Sequence, residues 1–318
     1  MLIHVGYHKT GTTFLQHHFF HHRRRGFFAP WTVASGEAIR YFVRQGSPDF
    51  NPQAVAQAFQ AALLQGQSPP GAVPVLSHED LCGHPIFGQY YGFRVADRLK
   101  ATFPQAKILI TIREQRDTLR SLYGQYLYQD GRWPLSEFLL DPRRWSTLIP
   151  PICRLDHLEY HHLVGYYAQL FGRDALWILP QEWLRRDPRG ALQGLQDFAG
   201  TGWQVTGEYP PIHGGWGAAT LALRRWLNGW VQLPPSHDFH RPSPPLWEAK
   251  NRLCCLVDRT LPQGLQTQVD RRWRRYVAEV VGDRYQASNQ RLQAYTPLNL
   301  RSLGYDLPPD GSNPTGSH

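Results

Sequence analysis

Residues 4–16 read HVGYHKTGTTFLQ: an apolar strand, a tight turn holding Gly6, Lys9 and Gly11, two threonines, then an apolar helix. A strand that feeds a glycine turn and then a helix N-terminus aims several unpaired backbone N–H groups at one point, and the helix dipole adds partial positive charge there. Such a point attracts an anion. Only four of the basic residues are lysines (Lys9, Lys100, Lys107 and Lys250), against 30 arginines. A lysine inside this turn therefore points to a need for a compact charge rather than a planar fork. Gly6 and Gly11 have the separation of the two P-loop glycines in G-x-x-x-x-G-K-[ST], but Thr12 stands where that motif has its lysine. Placed ahead of the second glycine, Lys9 would reach along the loop toward the bridging oxygen of a bound phosphoanhydride, with Thr10, Thr12 and Thr13 supplying hydroxyl and amide donors.

The chain around this turn alternates strand and helix signals. MLIHVG reads as a buried strand, and TTFLQHHFFHH as a helix with Phe14, Leu15, His18, Phe19 and His22 near one face, ended by RRRG. NPQAVAQAFQAALLQG reads as helical and closes in the turn SPPG; AVPVLSHEDL is a second strand, apolar and then abruptly polar. A helix near residues 90 to 102 precedes AKILITIR, the clearest central strand, which runs straight into the helix EQRDTLRSLYGQYLYQ. A long helix, RLDHLEYHHLVGYYAQLFG, precedes a fourth strand, DALWILPQEWL. Strands separated by helices predict an α/β fold with a central parallel sheet covered on both faces. The C-terminal third reads as helical, interrupted by a proline-rich stretch at residues 234 to 245. Residues 1–305 are expected to form one domain, and DLPPDGSNPTGSH, from Asp306 onward, a disordered tail.

Composition narrows the class. The 318 residues are 42% apolar, with no run near the roughly 18 residues of a membrane span and no charged-then-apolar leader, so a cytoplasmic protein is expected. Four cysteines (Cys82, Cys153, Cys254 and Cys255) have neither disulfide-framework nor zinc-site spacing, which predicts reduced thiols. The formal charge of +9 favours an anionic ligand or partner. No RNA-module signature accompanies it, so a nucleic-acid partner is not expected. The histidine pairs 17/18, 21/22 and 161/162 lack further ligands at metal spacing, and no metal is expected. In DRRWRRYVAEVV and the turn before it, Leu265, Val269, Trp273, Tyr276 and Val280 share one helix face and the arginines take the other, the pattern of a solvated surface helix.

A second constellation lies in REQRDTLRSLYGQY. Arg113 ends the third strand, and Ser121 follows eight residues later on the next helix. Ligands of open α/β folds bind at the carboxyl edge of the sheet, and there an arginine fork plus a serine hydroxyl would seat a terminal phosphate. With both motifs in this order, the chain resembles the sulfotransferases that use 3′-phosphoadenosine-5′-phosphosulfate (PAPS), in particular bacterial members with a P-loop-like fold. The resemblance is strong at YHKTGTTFLQ and IREQRDTLRSLY and weaker over the rest of residues 1–305. It implies a P-loop NTPase-like three-layer fold and PAPS as co-substrate. The first loop (His8, Lys9, Thr10, Gly11, Thr12, Thr13) would hold the 5′-phosphosulfate, and Arg113 and Ser121 the 3′-phosphate. Lys9 would neutralise charge on the bridging oxygen as the nucleotide leaves, a role that dispenses with the metal clamp of kinases.

The resemblance also places the general base near the end of the second strand, LSHED. Carbohydrate-modifying members use a glutamate there and small-molecule members a histidine, and here His78 and Glu79 are adjacent. In an extended strand they point apart, and alternation through Val73, Val75 and Ser77 favours Glu79, with His78 as the alternative. A carbohydrate or glycolipid hydroxyl is the expected acceptor, small phenols and alcohols the second choice. The family's later basic lid has no clean match; HGGWGAATLALRR, with Arg224 or Arg225, is the only stand-in. A P-loop kinase remains the competing enzyme class, disfavoured by the displaced lysine. Oligomeric state is not legible.

Overall fold

The computed structural model describes residues 1–20, 25–32, 35–139, 153–207, 209, 215–230 and 245–309. The stretch at 234 to 245 lies outside them but for Pro245, as do His21, His22 and residues 310–318 of the expected tail.

Five strands, all parallel, form one sheet in the order β2-β3-β1-β4-β5: β1 Leu2–Gly6, β2 Phe27–Phe28, β3 Val73–Ser77, β4 Lys107–Ile112 and β5 Leu176–Pro180. The α/β architecture is thus the one the strand–helix alternation predicts, with β2 added at the edge. The register pairs Ile3 with Leu76 and Ile108, and Ile110 with Ile178. Alternate residues go to opposite faces. Ile3, Val5, Ile108, Ile110 and Ile178 enter one core, while Leu2, Val75, Leu109 and Leu179 join Phe14, Leu15, Phe19 and Phe20 in another. Helices cover both faces, which is why these strands read as continuous apolar runs without alternation.

Chain order decides where ligands go. From β1 the chain crosses to β3 and β2 on one side and to β4 and β5 on the other, so the direction of winding reverses between β1 and β4. At such a switch point the loops leaving the two strands part and open a crevice at the carboxyl edge. The loop after β1 carries Lys9, and the residue after β4 is Arg113.

Five helices matter below: α1 Thr12–Leu15, which widens into a π-helical turn over Gln16–Phe20; α2 Gln115–Tyr128; α3 Ala218–Trp230; α4 Pro245–Thr260; and α5 Gln263–Val281. α2 is capped by Glu114, whose carboxylate accepts from the Arg116 and Asp117 amides. On α5, Trp273, Tyr276 and Val280 pack on the core, and Val277 and Val281 are buried.

Two boundaries differ from expectation. The fourth strand stops at Pro180, where Gln181–Arg186 begins a helix, so QEWL belongs to the helix. Asp306, placed at the head of a disordered tail, is fastened to the fold: its carboxylate accepts from Arg116 Nη2 at 2.7 Å and its carbonyl from Asn289 at 2.9 Å. Cys82, Cys153 and Cys254 are buried free thiols and Cys255 an exposed one. Among the described residues, no helix is long and apolar enough to cross a membrane.

Candidate active site

The turn after β1 is built to leave backbone donors unspent. The amide of Tyr7 donates to Thr111 O at 3.0 Å, continuing the β1–β4 ladder by one residue before the chain turns. Lys9 then adopts φ 67°, the left-handed region that non-glycine residues enter at a cost of about 1 kcal/mol or more. Gly11, at φ 92°, occupies the N-cap of α1 and offers no side chain to its first turn. The leading amides of α1 therefore lack an intrahelical partner and a cap alike. Gly6 is required by space: a Cβ there would lie 2.5 Å from Thr12 Oγ1, 2.6 Å from Thr111 Oγ1 and 2.9 Å from His4 Nε2.

The three threonines divide. Thr10 is fully buried, and its hydroxyl donates to Tyr7 O and lies 2.7 Å from Thr111 Oγ1, so it holds the turn's shape and leaves only its amide for a ligand. Thr12 Oγ1 is buried with no hydrogen-bond partner among the described residues, and Thr13 is exposed.

Lys9 and Arg113 meet across the switch point. Arg113 Nη1 donates to Lys9 O at 3.4 Å, and Nη2 stands 3.7 Å from Asp117 Oδ2, while Nε is buried without a partner among the described residues. The guanidinium is thus buried with long, incomplete contacts, and burial lowers its pKa against the pull of Asp117. Lys9 Nζ, on the exposed side, donates to Gln125 Oε1 at 3.4 Å. The protein mass around the ammonium lowers its pKa, the Arg113 charge acts the same way, and Glu79 opposes both. Asp117, Ser121 and Gln125 follow one another at four-residue spacing on α2, hence on one face. Asp117 meets Arg113 and Gln125 meets Lys9, and Ser121, half-buried, lies between them on that face.

The end of β3 departs from expectation in detail. The extended strand reaches only Ser77; His78 stays extended (φ −158°, ψ 134°), and Glu79–Cys82 then forms a 3-10 turn. The single extended residue preserves the alternation, so Ser77 and Glu79 share a side: Gln16 Nε2 donates to Ser77 Oγ at 3.1 Å and to Glu79 Oε2 at 3.4 Å. His78 points away, and its Nδ1 accepts from the Asp80 amide at 3.1 Å, a capping use that occupies that nitrogen's lone pair. Glu79 is half-buried and near enough to Lys9 for its charge to act on the ammonium.

His8 Nε2 lies 2.9 Å from Asp80 Oδ1. Burial alone would raise the Asp80 pKa, but the His8 hydrogen bond and the nearby His8, His78 and His84 imidazoles bring it below the usual carboxylate value. Arg224 does not serve the crevice. It is fully buried, and Nη2 donates to Asp130 Oδ1 at 2.9 Å at the far end of α2. Arg225 lines a separate surface hollow with Arg132, Trp226, Gly229 and Trp230.

Four positioning residues escaped sequence reasoning. His4 is fully buried and held neutral, its pKa brought to about 3 by burial, and it joins Ser77 Oγ (2.8 Å) to Thr111 Oγ1 (3.1 Å). It thereby ties β1, β3 and β4 into one polar network near their carboxyl ends. Gln16, at the start of the π-helical turn, donates to Glu79, Gln125 receives Lys9, and Asp80 gathers histidines. A histidine interrupting an otherwise apolar strand is the one available sequence signal, at His4.

Among solved structures, a sulfotransferase from Alicyclobacillus acidocaldarius is similar to this chain with a TM-score of 0.47 and 20% identity, over 78% of this chain and 98% of that one. No family model matches the chain, and no curated protein does.

Proposed function

We propose that this chain transfers a sulfonate group from PAPS to an acceptor hydroxyl, a carbohydrate hydroxyl being the first choice. The observation that carries the proposal is the Arg113–Lys9 contact, which supports reading the loop after β1 and the residue after β4 as neighbouring seats for one nucleotide. The residues fit such an anion. The start of α1 is uncapped, and Thr12 Oγ1 and Arg113 Nε are buried with no hydrogen-bond partner among the described residues.

PAPS supplies an activated sulfonate whose release leaves a phosphate oxygen. In this reading the first-turn amides of α1 and the Thr12 hydroxyl orient the 5′ group, and Lys9 leaves Gln125 to place its ammonium at the leaving oxygen, where negative charge grows. Glu79, held by Gln16 and facing Lys9, takes the proton of the acceptor hydroxyl as its oxygen attacks sulfur. His78 is the weaker candidate because its Nδ1 is spent on the Asp80 amide. Arg113 and Ser121 hold the 3′-phosphate.

Transfer from labelled PAPS to a panel of glycans, phenols and alcohols tests the activity. Glu79→Gln is expected to lower the turnover of the best acceptor about 10²- to 10⁴-fold while His78→Ala lowers it far less; the reverse order would move the base to His78. The 3′-phosphate seat is tested by calorimetry. PAP is expected to bind at least tenfold more tightly than AMP, and Arg113→Ala to remove that preference, a charge-assisted contact being worth about 1.5–3 kcal/mol. Equal affinity for PAP and AMP in the unaltered protein would count against it, and tighter binding of ATP with Mg²⁺ would favour a kinase.

A further inference from the structure

Beside Lys9, two imidazoles converge on one carboxylate oxygen. Asp80 Oδ1 lies 2.9 Å from His8 Nε2 and 3.9 Å from His84 Nε2. One ligating atom from each of the three residues lies within 4.8 Å of the other two, and the His8 and His84 rings are 4.6 Å apart. All three side chains are largely withdrawn from solvent, at 10%, 22% and 14% exposure for His8, Asp80 and His84.

The surrounding backbone is held. Asp80 is fixed by its own amide, which donates to His78 Nδ1. His84 is anchored by mutual backbone hydrogen bonds with Gln89, donated at 2.7 Å and accepted at 3.1 Å. Between them Gly83 adopts φ 109° with no room for a side chain, a Cβ there falling 2.6 Å from Gln89 O. His8 arrives from the β1 loop, more than seventy residues away in sequence.

Orienting one imidazole needs one carboxylate contact; a second imidazole aimed at the same oxygen is not explained by that role. A tetrahedral zinc ion bound at about 2.0–2.1 Å by nitrogen and oxygen needs its ligand atoms about 3.3 Å apart. The 2.9 and 3.9 Å separations from Asp80 Oδ1 bracket that value, and the two imidazole nitrogens, within 4.8 Å of each other, would settle toward it around the ion. Two imidazoles and one carboxylate also suit a borderline cation better than Mg²⁺ or Ca²⁺.

We propose that His8, Asp80 and His84 form a three-ligand zinc site whose fourth position is open. Its ligands come from the loop after β1 and the turns after β3, more than seventy residues apart, so no local spacing in the sequence announces it. The inference goes beyond the transferase reading and does not depend on it.

The test uses the full chain after chelator treatment and dialysis, titrated with Zn²⁺ by calorimetry and with Co²⁺ by visible absorption. One Zn²⁺ per chain is expected, and Co²⁺ should show the ligand-field bands of a four- or five-coordinate ion, displaced by Zn²⁺. His84→Ala and Asp80→Asn should each weaken binding about tenfold or more, and His161→Ala, a half-buried histidine elsewhere, should leave it unchanged. Circular dichroism verifies that each variant is folded. The proposal is overturned if the unaltered protein takes up no stoichiometric metal, or if folded His84→Ala and Asp80→Asn bind it as tightly as the unaltered protein. Neither result bears on PAP binding or sulfonate transfer.

Discussion

Replacing Lys9 by alanine is expected to lower kcat/KM for sulfonate transfer by about 10²- to 10³-fold, the loss typical of removing one donor from developing oxyanion charge, while PAP binds within a few-fold of normal. The separation of the two effects follows from where Lys9 sits. Its backbone carbonyl faces Arg113 and is retained in any substitution, so the seat for the far phosphate survives. Among the described residues its ammonium makes one long hydrogen bond, to Gln125 at 3.4 Å, so little folding energy is lost with the side chain. Alanine at φ 67° is strained much as lysine is, which makes Lys9→Ala a test of the charge rather than of the turn. Lys9→Arg is expected to recover only a small part of the activity, because a bulkier planar guanidinium cannot replace a point charge inside a tight loop. Undiminished turnover in Lys9→Ala would remove the transfer mechanism proposed here. Loss of PAP binding together with turnover would assign Lys9 to ground-state binding.

The parts legible beforehand share a physical property: they are local. β1, the glycine turn and α1 are written in fourteen consecutive residues, because a strand that turns at glycines into a helix needs no distant partner to be recognised. The motif after β4 was legible for the same reason, Glu114 providing the cap that starts α2. β2 was not, since two phenylalanines carry no period and become a strand only by pairing with Val73 and Pro74. The π-helical turn at Gln16–Phe20 was hidden as well. Phe19 and Phe20 are both fully buried, a pattern a regular amphipathic helix does not predict, and the packing that selects it comes from the second core cluster. In the site, Glu79 fell on the expected side although the strand ended earlier than the alternation argument required, because His78 alone remained extended. Arg224 was misjudged for want of a tertiary partner. Its arginine identity is as consistent with a lid as with a buried pair, and only the position of Asp130 distinguishes them.

That buried pair carries the largest stability effect expected in the molecule. Asp130 follows α2 at φ 65°, and its Oδ1 accepts from Arg224 Nη2 at 2.9 Å and from Lys250 Nζ at 2.7 Å, joining α2, α3 and α4 through one carboxylate. Arg224 is fully buried and the Lys250 side chain only 6% exposed. Asn228, one turn along α3, accepts from Lys250 at 3.1 Å and donates to Leu127 O and Gly131 O. Two cations thus share one anion inside the protein. Breaking a buried ion pair from one side costs about 3–5 kcal/mol, because it strands charge away from water. Asp130→Asn is the informative substitution, since asparagine tolerates the left-handed backbone and keeps a side-chain oxygen, so the charge alone is lost. A fall in Tm of about 5–10 °C is expected. Adding Lys250→Met to Asp130→Asn should recover part of that loss, because a buried methylene chain without an ammonium has no charge to strand, whereas Lys250→Met alone leaves the Arg224–Asp130 pair intact and should cost less than Asp130→Asn. A double variant no more stable than Asp130→Asn would mean that Lys250 is solvated in the folded protein and that the carboxylate serves Arg224 alone.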